Sequence, residues 1–238
     1  MFNKLRKKIY PWKWWLRDIL RQPRMQTFDP AYNRYWHARD IGVLNQFQKD
    51  RADLSIPHIV QGASVMDIGA GSGNLLEYIR KQRPLGQLWA IDLSSDALAL
   101  AAAKGMATLR GDIADEDSRK KLPAVDYLCL FEVLEHLPHP EEVLQWAIKH
   151  ARKGVFFSVP NTGFFVYRLQ LLLGRFPVQW RAHPSEHLRF WTFSDMQKWL
   201  LELGCADATL MTYQGGWPLN LFWPSLFSAG LFVKILRE

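Results

Sequence analysis

The sequence has few of the features that mark exported or membrane-spanning proteins. Only two cysteines, Cys129 and Cys205, occur among 238 residues, too few for the disulfide framework of a secreted scaffold. There is no apolar run of about 18 residues, the length that spans a bilayer, and the most apolar stretch is interrupted by Pro224 and Lys234. The N-terminus also lacks the apolar core and cleavage site of a secretory signal. These absences predict a cytoplasmic protein that does not span a membrane.

Acidic residues are scarce at one end of the chain. Residues 1–25 contain eight Lys or Arg and only one acid, Asp18, whereas the rest of the chain has equal numbers of acidic and basic residues. The same segment holds Trp12, Trp14 and Trp15. Cations beside indole rings suit an anionic membrane surface, although a helix packed on the domain or a poorly ordered leader would explain the same pattern. Because the body of the chain is neutral, nucleic acid is not expected as a partner.

Most of the remaining chain alternates apolar strand-like runs with helical patterns. Residues 28–60 have apolar residues at helical spacing, and a long connection covers 161–190. Ser94 or Ser95 suits the cap of one helix and Ser194 the cap of the last helix. The predicted strands are 63–68, 87–92, 106–112, 125–132, 155–161, 208–214 and 226–236. The first five, with helices between them, predict a parallel, doubly wound α/β sheet.

The stretch VMDIGAGSGN, residues 65–74, places three alternating glycines, Gly69, Gly71 and Gly73, behind Asp67. A strand, a glycine-rich turn and a helix bring backbone N–H groups and a helix N-terminus against a ligand. The missing side chains let the ligand lie on the main chain itself. Dinucleotide-binding turns follow G-x-G-x-x-G, but here the last glycine comes one position early and Asn74 takes its place.

This motif resembles the first motif of class I S-adenosylmethionine-dependent methyltransferases, in the type 11/23 group. The resemblance continues in register through WAIDLS at 89–94, LRGDIAD at 109–115 and CLFEVLEHLPHP at 129–140. Four motifs in order form a specific signal, whereas the glycines alone would be weak. The resemblance implies a seven-stranded Rossmann-like sheet whose last strand is antiparallel, with a helical N-terminal extension and an inserted cap.

The same resemblance implies S-adenosylmethionine as the cofactor. Asp92 would accept hydrogen bonds from the ribose hydroxyls, Asp112 would face the adenine amino group, and Ile113 would pack on the ring. The full set of implied cofactor-binding residues is Asp67, Gly69, Ala70, Gly71, Gly73, Asp92, Leu93, Asp112, Ile113, Phe131 and Glu132.

Glu132, Glu135 and His136 form an E-x-x-E-H motif that resembles ubiquinone-pathway O-methyltransferases. His187 lies in the long connection, which should fold over the same mouth. Two carboxylates and two imidazoles can bind a divalent ion such as Mg²⁺ or Zn²⁺. Metal-free acid–base catalysis by His136 or His187, with Glu135 as a further catalytic candidate, explains the pattern as well, and so does a structural role. These three interpretations stay open from sequence alone.

A second resemblance covers residues 155–178, which are similar to MetW-type proteins of methionine biosynthesis. It would make the chain a cofactor-binding accessory or regulatory protein. The four motifs instead favour an active methyltransferase, which we expect to be an O-methyltransferase. Its acceptor would be a small molecule, a lipid-linked compound or a surface glycan.

We expect a basic, Trp-rich leader and helical lid at 1–57, followed by a methyltransferase domain at 58–238 with an acceptor-side insertion at 160–193. The acceptor pocket should come from 28–40 and 161–193. Its candidate walls and cations are Tyr35, Trp36, Tyr167, Trp180, Trp191, Arg168, Arg175, Arg181 and Arg189. These residue types, with the basic leader, favour an acceptor held near a membrane and a peripheral association through the N-terminus. The sequence does not indicate an oligomeric state.

Overall fold

A seven-stranded sheet forms the centre of the molecule. The structure is a computed structural model that describes residues 12–20, 44–177, 179 and 187–237. The strands are β1 (Val65–Ile68), β2 (Leu88–Asp92), β3 (Ala107–Arg110), β4 (Tyr127–Phe131), β5 (Gly154–Pro160), β6 (Thr209–Tyr213) and β7 (Gly230–Leu236). Their order is β3-β2-β1-β4-β5-β7-β6. β7 runs antiparallel to both neighbours, and the remaining neighbouring pairs are parallel. The predicted sheet, with its last strand antiparallel, is confirmed.

Helices cover both faces of this sheet. They are α1 (Trp12–Leu20), α2 (Gln46–Ser55), α3 (Asn74–Gln82), α4 (Ser95–Ala103), α5 (Glu116–Lys120), α6 (Pro140–His150), α7 (Phe165–Leu172), α8 (Phe193–Glu202), α9 (Leu219–Phe222) and α10 (Pro224–Phe227). Two short 3₁₀ segments, Ile56–His58 and Leu134–His136, complete the described elements. None of the helices in the described ranges is long and apolar enough to cross a membrane.

Strand burial explains why the sequence folds this way. Every residue of β1 and β4 is buried, as expected for parallel strands covered on both faces. Adjacent residues point to opposite faces: Met66 belongs to one hydrophobic cluster and Val65 to the other. α3 buries Leu75, Leu76 and Ile79 against the second of these clusters. The alternating pattern in the sequence therefore builds two cores around one sheet.

The sheet has a topological switch point between β1 and β4. The chain proceeds from β1 through β2 to β3 on one side, and from β4 to β5 on the other. In open α/β sheets, ligands bind in the crevice at the carboxyl ends of the strands at such a point. The glycine turn follows β1 and Glu132 follows β4, so both predicted halves of the site meet at this crevice.

Two predicted boundaries are wrong for local reasons. α8 is capped by Thr192 and not by Ser194: the Thr192 hydroxyl accepts from the Asp195 N–H, and the Asp195 carboxylate accepts from the Thr192 N–H. This reciprocal capping box satisfies two N–H groups at once. β7 begins at Gly230 instead of residue 226, because the preceding residues form α10 with Pro224 in its first turn, where proline is favoured.

The N-terminal helices pack on the methyltransferase-like sheet unit at two places. α1 lies on α7, where the Gln170 side chain donates to the Asp18 carbonyl and Arg175 to the Leu20 carbonyl, each at 2.7 Å. α2 packs on α3, where the Tyr78 hydroxyl donates to Asp53 at 2.8 Å. Residues 28–43 of the predicted helical region lie outside the described residues.

Candidate active site

Three positions in the turn after β1 favour glycine. Gly69, Gly71 and Gly73 have φ angles of 71°, 54° and 72°, in the left-handed region where a Cβ is strained. A Cβ on Gly69 would also lie 2.9 Å from Val133 Cγ2, and one on Gly73 would lie 2.6 Å from Met106 Sδ. The fold itself therefore accounts for these glycines, and the expectation that they let a ligand lie on the main chain stays a prediction.

The N–H groups of this turn, however, point inward. The Gly69 and Ala70 N–H groups donate to the Ile91 carbonyl, and Gly73 N–H donates to the Ala70 carbonyl. Gly71 N–H donates to Asp92 Oδ2 at 2.8 Å. The expectation that these particular N–H groups face a ligand is wrong, because they fix the turn against β2.

Asp92 ties the end of β2 to the glycine turn. It is buried, with Oδ2 accepting from Gly71 and Oδ1 accepting from the Ser94 N–H at 2.9 Å. The ribose contact expected from the sequence therefore involves a carboxylate that is already fixed in position by the main chain, and it stays a prediction. Leu93, the next residue, is 38% exposed at the mouth of the crevice.

The turn after β3 carries the residues expected to meet adenine. Asp112 is exposed and its Oδ1 accepts from the Ala114 N–H at 2.9 Å. Ile113 is buried, and its carbonyl accepts from the guanidinium of Arg119 at 2.8 Å. The turn is thus held by side chains from its own segment, with the Asp112 carboxylate facing outward.

Glu132, which follows β4, occupies a strained position. Its φ of 55° is left-handed, a conformation that costs a non-glycine residue about 1–3 kcal/mol. Oε1 accepts from Ser158 Oγ at 2.8 Å and from the Tyr213 hydroxyl at 3.2 Å, and lies 3.6 Å from Arg51 Nη1. Burial raises the pKa of Tyr213, which keeps the hydroxyl protonated and able to donate. Phe131, just before, is buried and stacks on Phe232 in the core.

Arg51 is a site residue that the sequence analysis missed. Its side chain is 9% exposed and its Nε donates to the Phe47 carbonyl in α2 at 3.1 Å. Burial opposes its positive charge, but the neighbouring Tyr213 and the carboxyl groups of Glu132, Glu135 and Asp67 outweigh burial and raise the pKa of Arg51. A signal was present in the sequence, since this arginine falls on the apolar face of its helix at helical spacing from Leu44 and Phe47.

Asp67 lies at the base of the crevice and is almost fully buried. Burial is the main cause that raises the pKa of Asp67 to about 8. The positive charge of Arg51 opposes this rise and the negative charge of Asp92 adds to it. Asp67 is therefore a carboxyl group whose ionisation depends on the charges placed beside it.

Glu135, His136 and His187 form a second cluster. Glu135 is 1% exposed, and neither carboxylate oxygen has a hydrogen-bond partner among the described residues. Burial, followed by the negative charge of Glu132, raises the pKa of Glu135 well above its usual range. His136 Nε2 lies 3.9 Å from Glu135 Oε1, and the two imidazoles meet edge to face at 4.8 Å. One ligand atom from each of the three residues lies within 4.8 Å of the others.

The long connection does fold back over this cluster. The Leu188 and Arg189 N–H groups both donate to the Glu135 carbonyl, at 2.8 and 3.1 Å, which places His187 beside it. The fourth predicted ligand, Glu132, is not part of the cluster, because Ser158 and the groups described above hold its carboxylate. The predicted four-ligand set is therefore a set of three in the structure.

Several residues expected to line an acceptor pocket support the chain instead. Trp191 is buried and packs on Trp199, with ring centroids 5.1 Å apart. Arg168, Arg175 and Arg189 each donate to a backbone carbonyl, of Gly163, Leu20 and Pro138 respectively. Tyr167 packs against Phe164. Tyr35, Trp36, Trp180 and Arg181 lie outside the described residues.

Comparisons with known proteins agree with this geometry. Residues 35–210 match a family model described as a methyltransferase domain. A ubiquinone biosynthesis O-methyltransferase from Hydrogenovibrio crunogenus is 25% identical over 156 residues, which cover 62% of this chain and 64% of that relative. One of the same name from Xanthomonas oryzae pv. oryzae is 24% identical over 208 residues, 81% of this chain and 85% of the relative.

The fold has close structural counterparts. The crystal structure of a SAM-dependent methyltransferase from Archaeoglobus fulgidus superimposes with a TM-score of 0.63 at 15% identity, covering 86% of this chain and 99% of that one. The family match spans most of the chain and includes the glycine turn, Asp92 and the E-x-x-E-H motif. The chain therefore belongs to the methyltransferase domain family and is an S-adenosylmethionine-dependent methyltransferase.

Proposed function

We propose that the protein methylates a hydroxyl group of a small lipophilic acceptor. The observation that carries this proposal is the cluster of Glu135, His136 and His187 beside the crevice. S-adenosylmethionine supplies an activated methyl group, so the protein mainly has to align the acceptor and exclude water. A base is needed only when the acceptor holds a proton at the reacting atom, as a hydroxyl does. The relatives named as O-methyltransferases support the same acceptor type.

The charges around the crevice complement those of the cofactor, which carries one carboxylate, one ammonium and one sulfonium group. Glu132 supplies negative charge for its cationic groups, and a cationic group of the cofactor beside Asp67 would favour the ionised form of that carboxyl. Arg51 supplies positive charge for its carboxylate, and among the described residues its only hydrogen bond is the one from Nε to Phe47. The glycine turn gives the cofactor a bare surface, Asp92 accepts from its ribose, and Leu93, Asp112 and Ile113 receive its adenine.

The cluster of Glu135, His136 and His187 fits a divalent ion. A buried carboxylate without hydrogen bonds needs either a proton or a positive charge beside it. Two imidazoles and one carboxylate form a ligand set typical of catalytic zinc, in which a fourth position stays open. A divalent ion bound there supplies Lewis acidity that lowers the pKa of a neighbouring hydroxyl. We therefore propose zinc, in preference to magnesium, as the ion of this site.

The zinc proposal predicts the metal content of the purified protein. We expect near-stoichiometric zinc in the wild type and little in Glu135→Gln or His187→Ala, measured by elemental analysis after dialysis. His139→Ala is the matched control, since His139 is an exposed neighbour outside the cluster, and it should retain zinc. Chelation should abolish methyl transfer and added zinc should restore it. If chelation and both substitutions leave transfer intact, the cluster does not use a metal.

Methyl transfer itself is tested with labelled S-adenosylmethionine and a panel of hydroxylated lipophilic compounds, including prenylated phenols and lipid-linked sugars. We expect the addition of one methyl group to oxygen, detected as a mass shift. Glu135→Gln should lower the rate by roughly 100-fold or more, the range typical of a lost acid–base group, while calorimetry shows unchanged cofactor binding. Binding of the cofactor without transfer to any acceptor would instead indicate a regulatory protein.

The acceptor would reach the crevice from its apolar side. The insertion at 160–193 leaves β5 at the carboxyl edge of the sheet and ends beside Glu135. Large apolar side chains in the segment that returns to Glu135 are exposed, among them Leu188 and Phe190. This surface and the basic leader support a lipid-linked or prenylated acceptor, taken up by an enzyme that associates with a membrane surface from the cytoplasm.

A further inference from the structure

The connection between β6 and β7, residues 214–229, is unusually apolar for an exposed segment. Its sequence, QGGWPLNLFWPSLFSA, contains no Asp, Glu, Lys or Arg. Phe222 is 84% exposed, Leu221 63% and Trp223 59%. Isolated apolar residues on a surface are ordinary, whereas a contiguous group of large ones marks an interaction site.

This connection lies at the same edge of the sheet as the active site. β6 and β5 both run antiparallel to β7, so β6 ends at the carboxyl edge. Its last residue, Tyr213, donates to Glu132. The Asn161 side chain, just after β5, donates to the carbonyls of Ser225 and Ser228 at 2.9 and 2.8 Å. The exposed aromatic residues are therefore presented by a segment that is anchored beside the crevice.

A second exposed apolar segment joins it. α7 follows β5 at this edge, and its Phe165 ring contacts Phe227 with centroids 5.3 Å apart. At its other end α7 and the residues after it expose a row of apolar side chains, and α1, which lies on α7, exposes two leucines. We call the exposed side chains of these segments the apolar rim: Leu16, Leu20, Leu171, Leu172, Leu173, Phe176, Trp217, Leu219, Leu221, Phe222 and Trp223.

The composition of the N-terminal segment that contains α1 points to lipid. α1 is part of the basic leader, in which eight cations face one acid. Basic segments are drawn to the anionic headgroups of a bilayer, and exposed tryptophan is suited to the headgroup level. The uncharged connection at 214–229 and the cationic leader thus match, respectively, the apolar and the charged parts of an anionic membrane surface.

We propose that the apolar rim seats the enzyme on an anionic phospholipid bilayer, with Phe222 and Trp223 entering the interface next to the crevice. A lipophilic acceptor would then pass from the membrane to the active site without crossing water. The role of the acceptor rests on the proposed function, but the contact with lipid rests only on the apolar rim and the charge of the leader.

Co-sedimentation of the full-length protein with vesicles of phosphatidylglycerol and phosphatidylethanolamine tests this proposal. The wild type should pellet with vesicles, and Phe222→Ser/Trp223→Ser should lower the partition coefficient roughly tenfold or more, because two large apolar side chains no longer leave water. Leu201→Ser is the matched control. Leu201 is 63% exposed like Leu221, but it lies at the end of α8, where the chain approaches the start of β6 at the opposite edge.

Two further measurements separate the outcomes. Leu172→Ser/Leu173→Ser changes the other part of the apolar rim and should also reduce partitioning. It provides an independent test if Phe222→Ser/Trp223→Ser folds poorly. Both double variants should keep wild-type cofactor binding and methyl transfer to a water-soluble acceptor. Equal pelleting of the wild type and both double variants, or no pelleting of any, would overturn the proposal and assign the apolar rim to a protein partner. A wild type that binds vesicles but transfers no methyl group would overturn the proposed function alone.

Discussion

Asp92→Ala is expected to weaken S-adenosylmethionine binding by about 100- to 20,000-fold, since two hydrogen bonds to a charged group together contribute about 3–6 kcal/mol. The substitution removes the proposed acceptor for the two ribose hydroxyls. It also removes the carboxylate that receives the Gly71 and Ser94 N–H groups, so the glycine turn and the start of α4 lose a shared anchor. Isothermal titration calorimetry measures the affinity, and the demethylated product should be affected to a similar degree.

Asp115→Ala separates this effect from a general loss of helix capping. Asp115 also accepts from two backbone N–H groups, of Asp117 and Ser118, at the start of α5, and its loss should cost about 1 kcal/mol of stability. It lies outside the proposed cofactor contacts, so cofactor affinity should stay near the wild-type value. If Asp92→Ala and Asp115→Ala weaken binding equally, Asp92 acts only as a structural residue.

Local sequence patterns predicted the sheet, because its strands and helices are marked by apolar spacing and by glycine or capping residues at their ends. The helix at 74–82 is bounded by Gly73 and by the end of its apolar spacing, and the structure has the same bounds. Ser94 caps α4 as one of the two candidates. The errors fall where two signals compete: Thr192 and Ser194 are both good caps, and only the position of Asp195 decides between them. Pro224 likewise interrupts an apolar run that otherwise predicts a longer last strand.

The cofactor side of the site could be predicted for a similar reason. Asp67, the glycines, Asp92 and Asp112 each lie within two residues of a strand's carboxyl end or in the turn that follows it, and the carboxyl ends of parallel strands share one edge. The contacts of Glu132 could not be predicted in this way. Its partners Ser158 and Tyr213 are 26 and 81 residues away, and Arg51 comes from a helix before the sheet. No local spacing encodes such pairings, so the two hydroxyls and the arginine became visible only in the folded chain.

Arg51 interacts electrostatically with three carboxyl groups of the site. Asp67, Glu132 and Glu135 all raise the pKa of Arg51, and Arg51 in turn lowers the pKa of Asp67 and of Glu135. Without a cation here, the carboxyl groups would be protonated or would repel one another. A single arginine on α2 therefore opposes the effect of burial on Asp67 and Glu135 and pairs with the carboxylate of Glu132.

Arg51→Met should accordingly lower the free energy of unfolding by about 3–5 kcal/mol, the usual cost of leaving buried charges without their partner. It should also weaken cofactor binding, because the proposed partner of the cofactor carboxylate is lost. Arg83→Met is the control for removing an arginine of intermediate burial: its guanidinium donates to the Ile59 carbonyl at 2.7 Å and belongs to no carboxyl cluster. Urea unfolding gives the stability of both variants.

The pH dependence separates a charge effect from lost packing. The pKa of Asp67 is about 8 in the folded protein and 3.8 in its unperturbed state, so the folded state holds this proton more tightly and stability falls as pH rises between those values. Arg51→Met removes an opposing charge and raises the folded pKa further, so the additional destabilisation that acts through Asp67 should appear as the pH rises above about 8, where wild-type Asp67 has ionised and the variant's has not. The free energy of unfolding of Arg83→Met should differ from that of the wild type by the same amount at every pH, and the pH dependence of Arg51→Lys should follow that of the wild type.

The double variant Arg51→Met/Glu132→Gln measures the coupling between the two side chains. If it is more stable than the sum of the two single losses predicts, the difference is their coupling energy. Strictly additive losses would mean that Arg51 acts through packing alone.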